Sequence, residues 1–361
     1  MVPFAGYDMP ISHTSLREEH EAVRDRVGMF DVSHMGEFVI KGPEALALVQ
    51  HVTTNDASRL EIGQAQYSAF ATPEGGIVDD LLVYRLPEDK CAAGERAYML
   101  VVNASNIAKD WAWIEQHGGH FDARRIDISE QTALLAVQGP KAVEALQWFT
   151  TVKLRDMPYY TFVKTRFGGV EDVIVSATGY TGAGGFELYV PAERAGELWD
   201  AILAGSGQPT ERMRDHRVRP VGLGARDSLR LEMGYALYGN DIDDTTSTLE
   251  AGLAWITKLD KGDFVGRDFL VGQKAAGLRR RLVGLRVEGR RVARHGYPIL
   301  DEAGAEIGVV TSGSQSPTLG VPIALGYVPT ALRRPGSRVL IGAGSKQLAA
   351  TVTKLPFLDA G

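Results

Sequence analysis

The stretch RLVGLRVEGRRVARHGYPILDEAGAEIGVVTSG, Arg281 to Gly313, changes the rhythm of the chain. Short apolar or alternating runs are cut by Gly and Pro, and the pattern continues through PIALGYVP, SRVLIG and KQLAATVTKL. Such spacing predicts short strands closing into a small β-barrel or sandwich. Upstream the rhythm is different. SLREEHEAVRDRVG predicts a helix over Ser15–Arg26, with Ser15 as N-cap, Glu18 in a capping box and Gly28 turning the chain beyond its end. EFVIKG predicts a strand, and PEALALVQHVT a helix with Pro43 in its first turn. AQYSAFATPEGGIVDDLLVYRL predicts a hairpin folded at Pro73 to Gly76. Strand and helix then alternate from AYMLVVN through GFELYVP to AGELWDAILAG, so the first three quarters read as α+β or α/β. A boundary near Leu278 follows.

With 361 residues, 44% of them hydrophobic and 23% charged, the chain can bury a large core as a soluble globular protein. A net charge of −6 argues against general nucleic-acid binding, which needs a positive surface to displace counterions. One cysteine, Cys91, excludes an internal disulfide framework and a thiolate metal cluster, and fits a reducing compartment. No basic segment precedes an apolar run, and no eighteen consecutive apolar residues occur. A cytoplasmic protein with no membrane contact is expected.

HEAVR at His20 starts like a zincin motif, but Arg24 stands where the second histidine is needed, so a solvated helix face is expected. The other histidines are scattered singly and predict no metal site. Gly182, Gly184 and Gly185 predict a tight turn, since no Lys-Ser/Thr follows them. Glu187 is different. On a strand, Phe186, Leu188 and Val190 share one face, while Glu187 and Tyr189 share the other, with Tyr180 across the turn. A carboxylate offers two adjacent acceptors to two parallel N–H donors, as on a planar guanidine-like heterocycle, although an exposed strand acid has the same pattern.

In GGIVDDLLVYR, Asp79 joins the row Ile77, Leu81, Val83, and Asp80 the row Val78, Leu82, Tyr84. Each acid interrupts a mostly apolar row, where burial raises a carboxyl pKa and where catalytic acids are found; an acid bonded to the Gly75–Gly76 turn is the alternative. In GLGARDSLRLEMGYALYGND, Arg226 and Arg230 lie one helical turn apart and could hold a carboxylate or pair with Asp227 or Glu232. Asn103, at a strand-to-helix junction, reads as a cap or a ligand contact. Arg279–Arg294 carries seven arginines against one glutamate, a local charge of +6 in an acidic chain, and reads as a solvated face or a docking surface for an acidic partner.

Together the strings MVPFAGYDMP, VGMFDVSHMGEF, VTTND, GQAQYS, GGIVDDLLVYR, VVNASN, GYTGAGGFE, GLGARDSLRLEMGYALYGND, EAGLAWITK, GVVTSGSQSPTLG and IALGYVP resemble one family over essentially the whole chain. That family is the aminomethyltransferase, or T-protein, of the glycine cleavage system. The resemblance implies an α+β fold: a bipartite folate-binding region with a central channel over residues 1–278, its second lobe roughly 52–139, then a β-barrel over 279–361. It implies transfer of an aminomethyl carbon from the lipoyl arm of H-protein to tetrahydrofolate, with release of ammonia and formation of 5,10-methylenetetrahydrofolate. By the same resemblance Asp80 is the catalytic aspartate beside the folate nitrogens, as general base or as a positioning group. Glu187 grips the pterin, Arg226 contacts folate, and Asn103, Tyr84, Tyr180 and Tyr238 line the pocket. Lipoylated H-protein is the implied partner, with Arg279–Arg294 its candidate docking patch. Two departures are expected to matter: family chains usually have a helix before MVPFAG, and often a tyrosine or arginine after the PF dipeptide, where this chain reads LPFLDAG. A folate-dependent demethylase and a non-enzymatic folate-binding scaffold are the alternative readings.

Overall fold

The structure is a computed structural model that describes residues 1–205 and 217–358. The terminal DAG of the LPFLDAG stretch therefore lies outside the described residues. The chain forms two compact units, each drawn from two stretches: Met1–Ser68 with Asp79–Arg226, and Ala69–Val78 with Asp227–Gly361.

The first unit holds a two-stranded sheet, Val2–Phe4 with Tyr7–Met9, and most of two larger ones. One has six strands in the order Phe162–Phe167, Val170–Ser176, Gly185–Pro191, Thr132–Gln138, Gly28–Asp31, Arg219–Pro220. The other orders Ala65–Ala71, Ile77–Arg85, Arg96–Val102, Gly36–Gly42 and Arg124–Asp127. Gly185–Pro191 pairs antiparallel along its whole length with Thr132–Gln138, and on its other edge Glu187 pairs with Ser176. This register sends Phe186, Leu188 and Val190 into a core with Leu135, Val137, Val173 and Val175, as the alternation predicts. Glu187 and Tyr189 therefore face the other way.

The helix Leu16–Asp25 begins where expected, with the Ser15 hydroxyl accepting from Glu18 N. Its solvated-face expectation is corrected: Glu19 is 1% and His20 0% exposed. Glu19 is buried because its carboxylate accepts the backbone N–H groups of His13, Thr14 and Gly222, and three such donors replace the water it gives up. Gly28 is likewise a strand residue and not a turn; it pairs with Gln138, and a Cβ there would lie 2.6 Å from both Val221 and Val23.

In the second unit, six strands form a closed antiparallel barrel: Arg280–Val287, Pro322–Pro329, Glu306–Gln315, Pro298–Leu300, Arg338–Ala343 and Lys346–Thr353. Alternate residues such as Val283, Leu285, Val310, Ala324, Ile341 and Val352 fill it. The hairpin tip belongs to this unit as well. Ile77 N donates to Asp243 O and Thr246 O, and Gly76 packs so tightly on Asp244 O that a Cβ would come within 1.9 Å of it. Arg230, only 1% exposed, bonds Asp227, Asp241, Ser312 and the carbonyl of Tyr235. Among the described residues no helix is long and apolar enough to cross a membrane.

Candidate active site

Strand geometry assembles the site in the first unit. On Ile77–Arg85 the side chains of Asp80 and Tyr84 share one face, and Asp79, 0% exposed, points to the other with Leu81 and Val83. The buried Tyr84 hydroxyl meets Tyr189 at 2.9 Å and Ser176 and Thr178 at 3.2 Å each. Thr178 in turn donates to Glu187 Oε2 at 2.5 Å. The strand that carries Asp80 is thereby tied, through Tyr84 and Thr178, to the strand that carries Glu187.

Glu187 is partly buried, and Oε1 accepts no hydrogen bond among the described residues. Burial raises its pKa, against the opposing pull of the Thr178 hydroxyl and the Arg226 guanidinium. Arg226 lies 4.9 Å from the centre of the Tyr180 ring, a cation–π contact that holds the charge on this side of the unit. His34, 2% exposed, is packed edge-on against Phe4, and its Nδ1 has no partner among the described residues. Burial first, and the Arg226 charge second, lower it to about 4, so it stays a neutral imidazole at pH 7.

Asp80 sits between two donors, with Tyr67 OH to Oδ2 at 2.8 Å and Asn103 Nδ2 to Oδ1 at 2.9 Å. Burial, and then the charge of Asp79, push it up to about 7, while the two hydrogen bonds oppose the rise. A carboxyl in that range exchanges a proton at neutral pH. The Tyr67 hydroxyl is raised well above its ordinary value by burial and by Asp80, and it also senses Tyr180 and Tyr160. Tyr67 thus bonds Asp80 and lies within electrostatic reach of Tyr180. Among the described residues no group of three or more His, Cys, Asp or Glu could hold a metal ion.

The sequence-predicted residues Asp80, Tyr84, Asn103, Tyr180, Glu187 and Arg226 all fall in this first unit. Tyr238 belongs to the second, where its hydroxyl donates to Ile77 O at 3.2 Å. Tyr84 is 0% exposed, and stands behind Glu187 as a support. Asn103 precedes a short 3-10 turn but makes no side-chain cap; its amide is spent on Asp79 and Asp80. Asp79 bonds Asn103 and Asn106, not the Gly75–Gly76 turn. Sequence reasoning gave no role to Tyr67, Thr178, Tyr160 or His34. Tyr67 and His34 lay inside the strings GQAQYS and VGMFDVSHMGEF, where no spacing set either of them apart. Tyr160 carries a left-handed backbone (φ 64°), a strained setting for an aromatic that no residue pattern announces.

The chain matches the GCVT N-terminal domain over residues 1–261 and the glycine cleavage T-protein C-terminal barrel domain over 280–359. It is 51% identical to an aminomethyltransferase of Flavobacterium psychrophilum, over 99% of this chain and 95% of that protein. It is 46% identical to one of Halothermothrix orenii, over 99% and 96%. The crystal structure of glycine cleavage system aminomethyltransferase T from Bartonella henselae superposes with a TM-score of 0.88 at 34% identity, covering 99% of this chain and 94% of that one.

Proposed function

Because the chain belongs to the glycine cleavage T-protein family, we propose that it is a tetrahydrofolate-dependent aminomethyltransferase acting on aminomethylated lipoyl H-protein. In the reaction the carbon leaves as part of S–CH2–NH3⁺ and ends bridged between N5 and N10 of folate. The C–N bond breaks to release ammonia, the C–S bond breaks to return the lipoyl thiol, and each folate nitrogen forms one bond to carbon. The N5 proton goes to the departing lipoyl sulfur, N10–H gives up its proton as the ring closes, and Asp80 is the group assigned to receive it.

The observation that carries this reading is the pairing of two acids, each raised by burial, along one connected site. Glu187 offers a leftover acceptor oxygen to a ring N–H or exocyclic amine of the pterin, whereas Asp80, raised to about 7, suits proton transfer. Four residue steps along the strand carry Asp80 to Tyr84, about 13 Å at roughly 3.3 Å per residue, a span suited to a flat bicyclic ring and its side-arm nitrogen. Tyr180 and Arg226 supply a stacking face and a positive charge beside Glu187. The electrophilic methylene would be captured by water in an open site, so folate N5 must be in place before the C–N bond breaks.

H-protein docking is assigned to the arginine-rich stretch, narrowed by packing. Arg280 bonds Thr245 O and Glu250, and Arg281 bonds Leu249 O, whereas Arg290, Arg291 and Arg294 are exposed and pair with no acid among the described residues. Purified protein incubated with tetrahydrofolate and aminomethylated H-protein should form methylenetetrahydrofolate and ammonia in equal amounts. Folate binding without product would favour a scaffold, and product from a small methylated donor without H-protein would favour a demethylase.

A further inference from the structure

Between the strands Val170–Ser176 and Gly185–Pro191 the chain runs through residues 178–184 without helix or strand, and this connection carries Tyr180. Gly182 and Gly184 take positive φ (66° and 74°), which accounts for glycine at both. Gly179 does not, so its own backbone would accept a side chain. The obstacle there is Gln138: a Cβ at Gly179 would lie 1.9 Å from Oε1, 2.5 Å from Cδ and 2.6 Å from Nε2 of that side chain. Gln138 ends the strand Thr132–Gln138 and is 1% exposed. An amide so buried needs partners for one acceptor and two donors. Nε2 donates to Thr178 O at 3.1 Å and to Phe186 O at 3.3 Å, and Oε1 accepts from the Thr181 hydroxyl at 2.9 Å. The two ends of the amide are fixed by this set, because carbonyl oxygens only accept.

One side chain thus ties the start, the middle and the far end of the connection. Both ends lead to Glu187: the Thr178 hydroxyl donates to its Oε2, and Phe186 immediately precedes it. Tyr180 lies between the two tied residues Thr178 and Thr181, with the Arg226 guanidinium 4.9 Å from its ring centre. We propose that Gln138 is a positioning residue for tetrahydrofolate: its amide sets the course of residues 178–186, which holds Thr178 on Glu187 and Tyr180 against the pterin. The folate part of this rests on the roles given to Glu187 and Tyr180 above; the control of the connection by Gln138 does not. Glycine at 179 is the counterpart of the amide, since any larger residue takes the space that the amide fills.

The test is a double-mutant cycle on the full chain, with tetrahydrofolate binding measured by calorimetry for the parent, Gln138→Ala, Gly179→Ala and the two together. Gln138→Ala leaves two buried carbonyls without their donor, and Gly179→Ala drives the amide from its place, so each change alone should weaken binding about 10-fold. With the amide gone the added methyl finds room, and Gly179→Ala should then cost less than about 2-fold. Equal costs in the two backgrounds, or parental affinity in both single variants, overturn the proposal. Turnover with H-protein separates positioning from general damage. KM for tetrahydrofolate should rise with the loss of binding while kcat at saturating tetrahydrofolate stays within about 3-fold, because Asp80 belongs to another strand; a fall in kcat at unchanged KM overturns it. Gln138→Glu keeps the size and the acceptor for Thr181 but sets an oxygen against two carbonyls, and it decides the matter where an alanine variant fails to fold: binding weakened about 10-fold supports the role, and parental affinity removes it. A parent that binds no tetrahydrofolate would refute the proposed function, while the same cycle read in melting temperature would still show, by its non-additivity, whether Gln138 sets the connection.

Discussion

Replacing Asp80 by asparagine should make this protein more stable and much slower. Folding carries the Asp80 carboxyl from its ordinary 3.8 to about 7, a rise of about 3 pH units, each worth about 1.4 kcal/mol. The ceiling on the penalty is therefore about 4 kcal/mol, and rearranged bonds to Tyr67 and Asn103 reduce what an amide recovers. The amide fits with its oxygen toward Asn103 Nδ2 and its nitrogen toward the Tyr67 hydroxyl, which can accept as well as donate. Because the folded pKa is the higher one, stability from this group is complete below about 3.8 and is lost as pH rises through about 7. The variant should thus exceed the parent by about 1–4 kcal/mol at pH 8, with the gain vanishing toward pH 4. Turnover should fall by about 10²–10⁴, the usual worth of a positioned acid or base, with tetrahydrofolate binding largely kept. Urea unfolding at several pH values, beside the rate of methylenetetrahydrofolate formation, reads both effects. Near-parental turnover together with a pH-independent stability difference would refute the reasoning, because Asp80 would then be neither desolvated nor used.

Glu187→Gln places an amide donor against the donors of the pterin, and should weaken tetrahydrofolate binding by about 1–3 kcal/mol in calorimetry; unchanged affinity would take Glu187 out of the pocket. Reversing Arg290 and Arg291 to glutamate should slow association with H-protein and flatten its salt dependence in stopped-flow measurements, with folate affinity unaltered. Arg230→Met leaves Asp241, whose side chain is 0% exposed, without its ion pair, and should cost about 3–5 kcal/mol in denaturant unfolding.

Strand alternation made much of the fold and site legible. The turn-cut segments after Leu278 announced the barrel, and the two-residue period placed Glu187 opposite Phe186 and Leu188, and Asp80 opposite Asp79. Contacts distant in sequence were not legible. Glu19 looks solvated until Gly222, 203 positions away, donates to it, and Arg230 looks like a surface partner for Asp227 until Ser312 and Asp241 enclose it. Asn103 reads as a cap because its position before a helix is visible, whereas the acids it bridges belong to a strand 23 and 24 residues earlier. Asp110 in a first helical turn looks like an ordinary dipole partner, and only its burial with both oxygens unbonded among the described residues sets it apart.

The most direct test is a single-turnover mixture of the protein, aminomethylated lipoyl H-protein and tetrahydrofolate, run beside one without folate and one with Asp80→Asn. The parent should release ammonia and form 5,10-methylenetetrahydrofolate with matched time courses, folate omission should slow ammonia release, and Asp80→Asn should bind folate yet form product about 10²–10⁴ more slowly. Parental protein that binds tetrahydrofolate but leaves aminomethylated H-protein unconsumed would contradict the account.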